Sequence, residues 1–420
     1  MKPDSLYNHG MRPLMYSEIE AKKSGKGWVR GGGDICYYQN SQRKPNGYYY
    51  TLTWSISFEH DSDVIYLSHS YPYTYTDLTR YLDKLEMDPK IKSRMRRKPM
   101  CQTIAGNNCD MLIITTFGSD PEAIKNRKGI VISSRVHPGE TGASWMMKGI
   151  LDYLLAGNIK SKILRDNFVF KVIPMLNVDG VVNGSSRCNL AGVDLNRVWI
   201  DPSRKLHPTV YHMKNMVKKF QEDRDVFLVC DLHGHSRKKN IFMYGNSGRV
   251  NDRMKEKIFP KLIDKNMDVF SYMDCSFQVQ KAKEATARIV IWKEIGITNT
   301  FTLEASFCGP DQGRYSDFHF NIMMLEEAGH KFCETILDFC DPDQIKVKQV
   351  LEELEIILPK ASDSESDAES EPDSGENISE NEGQGNLSPA EIATKRRSNK
   401  VRNDEDISKK PLLLLFTYTN

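Results

Sequence analysis

Several features that define broad protein classes are missing from this 420-residue sequence. Its nine cysteines include no CxxC pair and are odd in number, which argues against a disulfide framework and favours a reducing compartment such as the cytoplasm. The N-terminus is polar from residue 2 to residue 7, so we expect no signal peptide. The apolar run at residues 412–416 is much too short to span a bilayer, and we expect no membrane partner.

A phosphate-binding loop is also missing, because the glycine-rich stretch at residues 25–33 has neither the lysine–serine ending nor the preceding strand of such a loop. We interpret this stretch as an ordinary loop. The charge is nearly balanced, with 58 basic and 56 acidic residues, but nine of the acids lie at residues 363–382. The rest of the chain therefore carries +11 (58 basic minus 47 acidic residues), which suits an acidic protein partner rather than a nucleic acid.

Four regions are predicted along the chain. Residues 1–95 have the composition of strands and predict an all-β N-terminal domain. Residues 96–340 alternate strand and helix patterns, which predicts a mixed α/β sheet covered by helices. Residues 341–360 hold one further helix. Residues 361–420 are rich in Ser, Asp and Glu and then in Lys and Arg, so they cannot bury enough apolar surface and should be disordered.

The elements within these regions follow from apolar periodicity and turn signals. In the N-terminal region we predict strands at residues 48–58 and 64–70, a turn at 59–63, a helix at 76–85 and a basic connector at 92–98. In the α/β region we predict strands at residues 111–116, 130–136, 168–175, 226–232 and 299–303. Helices are predicted at residues 144–155, 208–220, 251–265, 322–337 and 345–358.

One strand end carries the strongest chemical signal. The apolar run at residues 129–136 ends at Pro138-Gly139, and a helix follows from about residue 141. His137 and Glu140 therefore lie at the carboxyl end of a buried strand, where α/β sheets place their ligand sites. Such a pair can hold one metal ion, and a catalytic zinc needs about three protein ligands and an open position. A second apolar strand ends in His233, which is a suitable third ligand.

Other candidate residues follow the neighbouring strands. Arg187, Asn196 and Arg197 lie beyond the turn that ends the third strand, and such groups suit a substrate that ends in a carboxylate. Surface arginines in a long loop are the alternative interpretation. Glu304 closes the strand at residues 299–303, and loss of solvation there would make it a better proton acceptor. For an isolated glutamate, an ion pair with a nearby lysine is the alternative.

Taken together, these motifs resemble the cytosolic carboxypeptidases, the deglutamylase branch of the zinc metallocarboxypeptidases. The resemblance covers residues 5 to about 340 and rests on HPGE, NVDG, Arg187, DLNR, DLHGHSRKKNIFMYG and FTLEASFCGPDQGRY. SLYNHGMRPLMYSE and FEHDSDVIYLSHSYPYTYTDL are similar to the β-sandwich domain that precedes the catalytic domain in this branch. The resemblance implies a mixed sheet of the eight-stranded carboxypeptidase type flanked by helices. Since it begins inside the sandwich, we expect that domain to be incomplete.

The resemblance also implies a role for each matching position. His137, Glu140 and His233 match the ligands of a single zinc ion, a His₂Glu arrangement that is a known catalytic type. Glu304 matches the general base, and Arg187 matches the group that stabilises the oxyanion of the scissile carbonyl.

The remaining matches concern the substrate. Asn196 and Arg197 match the residues that bind its free carboxylate, and Arg288 lies near the pocket for its terminal side chain, where its charge would select glutamate. The function implied is removal of C-terminal glutamates from acidic protein tails such as those of polyglutamylated tubulin. Two alternatives remain: a zinc amidohydrolase of the aspartoacylase type, and a non-catalytic module that binds acidic tails.

Overall fold

The computed structural model describes residues 3–45, 47–247 and 254–357. The region predicted to be disordered, residues 361–420, lies outside these ranges, and so does the start of the helix predicted from residue 251. Within the described ranges, no helix combines the length and the apolar character that crossing a membrane would require.

The N-terminal part of the chain forms two small antiparallel sheets. Its strands are β1 (Leu14–Ser17), β2 (Val29–Arg30), β3 (Gly33–Lys44), β4 (Gly47–Ser55) and β5 (Ile65–Ser68). One sheet has the order β2-β1-β5, and β3 and β4 form a separate hairpin. The predicted strands at residues 48–58 and 64–70 are therefore present. The stretch at residues 25–33, interpreted as a loop, contains β2 and the first residue of β3.

Two helices accompany these strands. Helix α1 (Glu18–Ser24) begins after Ser17, whose hydroxyl accepts a hydrogen bond from the Glu20 amide. Helix α2 (Tyr75–Met87) begins after Thr74, which forms a reciprocal capping box with Asp77 and thereby satisfies two amides of the first turn. Helix α2 confirms the helix predicted at residues 76–85.

The α/β part is built on a sheet with four parallel strands in its middle. Its strands are β6 (Met95–Gln102), β7 (Asn108–Ile114), β8 (Lys128–Ser134), β9 (Phe168–Ile173), β10 (Val226–His235), β11 (Ile241–Tyr244) and β12 (Thr300–Ser306). The order is β11-β12-β10-β8-β9-β7-β6, and β12, β10, β8 and β9 run parallel. The mixed α/β class is confirmed. The described residues contribute seven strands to this sheet, where the eight-stranded type was expected.

The sequence analysis missed two strands of this sheet. The first half of strand β6 lies where a basic connector was predicted, at residues 92–98, because charged residues at a sheet edge conceal a strand pattern. One of them, Arg97, is neutralised by Asp110 on the neighbouring strand at 2.7 Å. Strand β11 was also missed, because its apolar run of four residues is too short to be distinguished by periodicity.

Helices cover both faces of the sheet. They are α3 (Pro121–Lys125), α4 (Gly142–Leu155), α5 (Ile159–Asn167), α6 (Val178–Val182), α7 (Pro208–Asp223), α8 (Lys255–Asn266), α9 (Ala287–Val290), α10 (Ile322–Phe339) and α11 (Ile345–Ile357). Helices α4, α8 and α10 share one apolar core with the sheet, while α7 and α9 share another. A β-carbon at Gly149 would lie 2.1 Å from the Glu326 carbonyl oxygen, so α4 and α10 can approach this closely only with glycine there.

The parallel strands β8, β10 and β12 are neighbours and end at the same edge of the sheet. In the register of β10 and β12, His233 lies beside Glu304. The turn that follows β8 carries His137 and Glu140 to the same edge. The sheet topology therefore brings together candidate residues that are far apart in the sequence.

Candidate active site

Two histidines and one glutamate converge at this edge. The Glu140 carboxylate lies between the two rings: its Oε1 is 2.8 Å from His137 Nδ1, and its Oε2 is 2.9 Å from His233 Nδ1. The potential ligand atoms of the three residues lie within 4.8 Å of one another, and the two imidazole rings are buried. Two imidazole nitrogens and a carboxylate match the donor set that zinc prefers, and the group therefore fits a zinc ion.

A carboxylate contacts the Nε2 atom of each imidazole ring, on the side opposite Glu140. His233 Nε2 is 2.7 Å from Asp231 Oδ2, and His137 Nε2 is 3.0 Å from Asp194 Oδ1. The Ser133 hydroxyl in turn donates to Asp231 Oδ1 at 2.6 Å. With Nε2–H donating to a carboxylate, each ring presents Nδ1 to the shared point, which fixes both the tautomer and the ring orientation of a metal-binding histidine.

The sequence analysis had not singled out these two aspartates. Asp231 precedes His233 by two positions on one strand, so both side chains lie on the same face of the sheet. That spacing was a usable signal. Asp194 is the first residue of the DLNR motif, and only the fold brings it to His137.

Charge within the group shifts the proton affinity of all three residues. Burial acts to raise the pKa of Glu140, but the adjacent His137 and His233 overcome this and hold that pKa well below its usual range. Burial acts to lower the pKa of His233, but Asp231 and Glu140 raise it well above the ordinary value. The pKa of His137 is raised in the same way by Glu140 and Asp194, against its burial. A metal ion bound here would compete with protons for the two imidazoles, because both rings have raised pKa values.

A buried arginine stabilises the turn between His137 and Glu140. Arg135 lies in the left-handed region at φ 59° and is only 2% exposed. Its guanidinium donates to the Pro138 carbonyl at 2.6 and 3.0 Å, to the Tyr73 carbonyl at 3.1 Å and to the Ser144 hydroxyl at 2.8 Å. The backbone N–H of Asn177 donates to the Arg135 carbonyl at 3.0 Å. Arg135 thus holds the backbone between His137 and Glu140 through the Pro138 carbonyl, a contact that the sequence analysis had not predicted.

The predicted carboxylate-binding residues surround Asp194. Arg187 Nη2 is 2.6 Å from Asp194 Oδ2, and Arg197 Nη1 is 4.0 Å from the same oxygen. The backbone N–H of Asn196 donates to Asp194 Oδ1 at 2.8 Å. The Arg187 side chain is 41% exposed and that of Arg197 is 33% exposed, so both guanidinium groups remain accessible to a ligand. Asp194 therefore connects these arginines to His137.

The last two candidates lie on neighbouring elements. Glu304 is 7% exposed and stands beside His233 in the sheet, with Phe242 opposite it on β11. Arg288 is buried in α9 and donates to the Gly245 carbonyl and, at 2.6 Å, to Asn246 Oδ1. It follows Ala287, whose amide donates to Asn196 Oδ1 at 3.0 Å. Glu304 is therefore a direct neighbour of the histidine group. Arg288 instead lies on the short helix α9, which contacts Asn196.

Comparisons with known proteins give a consistent result. A model of the zinc carboxypeptidase family matches residues 78–310. Cytosolic carboxypeptidase 3 of Bos taurus is 48% identical over 360 residues, which cover 84% of this chain and 36% of that protein. Cytosolic carboxypeptidase 2 of Homo sapiens is 45% identical over 360 residues, which cover 85% of this chain and 40% of that protein. This chain thus spans well under half the length of these two relatives.

Solved structures share the architecture. A metallo-carboxypeptidase from Pseudomonas aeruginosa, in complex with (2-guanidinoethylmercapto)succinic acid, superposes with a TM-score of 0.63. The superposition covers 79% of this chain and 82% of that chain at 20% sequence identity. At this identity the similarity concerns the fold alone.

Proposed function

The chain belongs to the zinc carboxypeptidase family, and from this premise we propose that it is a metallocarboxypeptidase that removes glutamates one at a time from the C-termini of acidic proteins. Polyglutamylated tubulin tails are the substrate we propose, and the cytosol is the location. Zinc carboxypeptidases use one zinc ion, and His137, Glu140 and His233 are the residues that would hold it. When bound, zinc supplies Lewis-acid chemistry, which lowers the pKa of water and polarises a carbonyl oxygen.

The observation that carries the proposal is the placement of two accessible arginines beside the histidine group. Arg187 and Arg197 both approach Asp194, which contacts His137. A binding site for a free carboxylate next to a zinc site suits cleavage of the last peptide bond of a chain, because it fixes the distance between the terminus and the reacting carbonyl. An internal peptide bond has no carboxylate to bind there.

Each residue then has a defined task in the proposed reaction. Asn196 and Arg197 bind the terminal carboxylate, and Arg187 donates hydrogen bonds to the scissile carbonyl oxygen as negative charge develops on it. Glu304 accepts a proton from the attacking water and delivers it to the leaving amine. Its burial next to His233 excludes bulk water from this proton transfer.

Selectivity for glutamate is proposed to come from Arg288. Its guanidinium is buried in α9, next to the residue whose amide binds Asn196. A positive charge that is partly shielded from water favours binding of an anionic terminal side chain over a neutral one of equal size. The surplus of basic residues outside residues 363–382 would also attract an acidic tail.

The test uses the full chain loaded with zinc and a peptide that ends in several glutamates. We expect stepwise release of free glutamate, measured by mass spectrometry, and no release when the same peptide is C-terminally amidated. Binding without release would instead support the module that binds acidic tails. Cleavage of an N-acylated amino acid, with the peptide left intact, would support the amidohydrolase of the aspartoacylase type.

Selectivity is tested separately with Arg288→Glu and the conservative control Arg288→Lys. We expect the charge reversal to reduce release of terminal glutamate more than release of a terminal glutamine, because only the glutamate is repelled. The lysine variant should keep the preference for glutamate. An equal loss on both peptides would contradict this role and leave Arg288 as a structural residue of α9.

A further inference from the structure

Two cysteines face each other across the edge of the central sheet. Cys101 on β6 is the direct antiparallel partner of Cys109 on β7. Opposed residues in such a pair have Cα atoms about 4.5–5.5 Å apart, within the ~4.4–6.8 Å that a disulfide requires. The register shifts between Pro99 and Cys101, so the two cysteines lie directly after an irregularity of the strand pairing. The strand pairing therefore places the two residues where a disulfide is geometrically allowed.

The two thiols differ in environment. Cys101 is partly exposed, whereas Cys109 is fully buried, with its Sγ 3.5 Å from the Met175 carbonyl oxygen. A hydrogen bond with Cys109 lowers the pKa of Cys101, although burial opposes this. The pKa of Cys109 is raised by the same hydrogen bond and by its burial. An accessible cysteine that ionises more readily, beside a buried partner, is the arrangement of a nucleophilic and a resolving thiol.

We propose that Cys101 and Cys109 form an oxidisable dithiol site that reacts with hydroperoxides to give a reversible disulfide. The Cys101 thiolate attacks the peroxide, so that an S–O bond forms and the O–O bond breaks. Cys109 then attacks the Cys101 sulfur, the S–S bond forms, and the S–O bond breaks. Overall the two thiols are oxidised, and one hydrogen peroxide is reduced to two waters. A low-molecular-weight thiol restores the dithiol by exchange.

Hydrogen bonds connect the dithiol site to the turn that carries His137 and Glu140. The hairpin loop between the two cysteines is tied to Asp179, which accepts hydrogen bonds from Thr103, Ala105 and Asn107 at 2.6–3.0 Å. Asp179 belongs to α6, which begins after Asn177, the residue bonded to Arg135. Because the loop is held at both ends, the two thiols cannot move apart freely, and this favours their bonding to each other over bonding to a distant cysteine.

The experiment treats the folded, zinc-loaded chain with hydrogen peroxide, blocks the remaining thiols with an alkylating reagent and maps the peptides. Residues 101–109 contain no lysine or arginine, so both cysteines fall in one tryptic peptide. We expect this peptide to escape alkylation at both positions, to be lighter than the dithiol form by two hydrogens, and to become alkylated after reduction. Alkylation of both cysteines after peroxide treatment would overturn the proposal, as would a disulfide between either one and another cysteine.

Variants assign the two roles. In Cys109→Ser we expect Cys101 to remain as a sulfenic acid that a dimedone-type probe captures, because the resolving thiol is gone. Cys101→Ser changes a partly exposed position and should leave Cys109 alkylatable after unfolding, without oxidation. The control is Cys36→Ser, an exposed cysteine on β3, which should leave the disulfide unaffected. Equal oxidation of Cys109 in the presence and absence of Cys101 would contradict the assignment.

Discussion

Two groups of histidine and glutamate side chains in the described residues have ligand atoms within 4.8 Å of one another. The sheet-edge group is His137, Glu140 and His233. The N-terminal group is Glu20, Glu59 and His60. Both satisfy the simplest requirement for a metal site, so their differences show what else such a site needs.

The surroundings of the two groups differ in three respects. Both histidines of the sheet-edge group are buried, and each is oriented from behind by a carboxylate, Asp231 or Asp194. In the N-terminal group, Glu59 is exposed and therefore keeps its solvation, which a metal ion would have to displace. The Lys26 ammonium also lies 3.7 Å from Glu20, where it would repel a cation. Close approach of ligand atoms is therefore insufficient, and we expect stoichiometric zinc at the sheet-edge group alone.

The largest expected effect is loss of the metal. His233→Ala removes one of the three proposed ligands. We expect the purified variant to contain no stoichiometric zinc, whereas wild type and His60→Ala should contain one zinc per chain. Metal analysis after gel filtration measures this. Full occupancy in His233→Ala would refute the ligand set, and a loss of zinc in His60→Ala would show that the N-terminal group also binds metal.

Next in size is loss of the proposed proton acceptor with the metal retained. Glu304→Gln keeps the shape of the side chain, so zinc content should match wild type while turnover of a glutamate-ended peptide falls at least about 10²-fold. Metal content and turnover are measured on the same preparation. Turnover near that of wild type would exclude Glu304 as the base.

Removing the charge of a carboxylate that contacts an imidazole ring should have an intermediate effect on zinc affinity. Asp231→Asn preserves size but removes the charge that orients His233, and we expect zinc affinity to fall roughly 10- to 100-fold. The matched control is Asp63→Asn in the N-terminal region, where Asp63 accepts a hydrogen bond from the Ile19 amide at 3.1 Å. Competition with a chelator measures both affinities. Equal affinities for wild type and Asp231→Asn would show that the orienting charge is unimportant.

The smallest expected effect is a pH dependence of the zinc-free protein. The pKa of His233 is raised on folding, so its contribution to stability is complete below its unfolded pKa and is lost as the pH rises through the folded value. Glu140 has a lowered pKa, so its contribution is lost only as the pH falls through that low value. The melting temperature of the zinc-free chain should therefore decline from neutral to alkaline pH, and His233→Ala should weaken this decline. Identical slopes would contradict the assignment.

Much of the site's position could be predicted from the sequence, because His137, Glu140 and Glu304 sit where apolar runs end. Parallel strands bring such ends to one edge, so a strand pattern already implied proximity. Arg135 and Asp194 could not be recognised in this way, since their partners, Tyr73 and His137, are distant in sequence. The burial of Arg135 in particular contradicts the usual preference of arginine for the surface.

The central strands of the fold could also be predicted from apolar runs in the sequence. All five strands predicted in the α/β region are present, because each is a run of apolar residues buried within the sheet. The edge strand β6 was missed, because half of its residues are exposed to solvent and its charged residues suggested a connector. Helix α5 was missed as well: it is short and polar, and it begins at the capping residue Asn158. Apolar patterns therefore identify strands that are buried on both faces of the sheet. They are least informative for edge strands and for short, polar helices.

Asp194 has a consequence that concerns thermodynamic linkage. Its Oδ1 contacts His137 and its Oδ2 contacts Arg187, so a single carboxylate is shared between a proposed metal ligand and a proposed substrate-binding residue. When a substrate draws Arg187 away, the negative charge of Asp194 is less neutralised, so it acts more strongly on His137 and makes that imidazole a stronger donor. Substrate should therefore tighten zinc binding, and zinc must tighten substrate binding by the same factor, because the coupling free energy between two ligands is reciprocal.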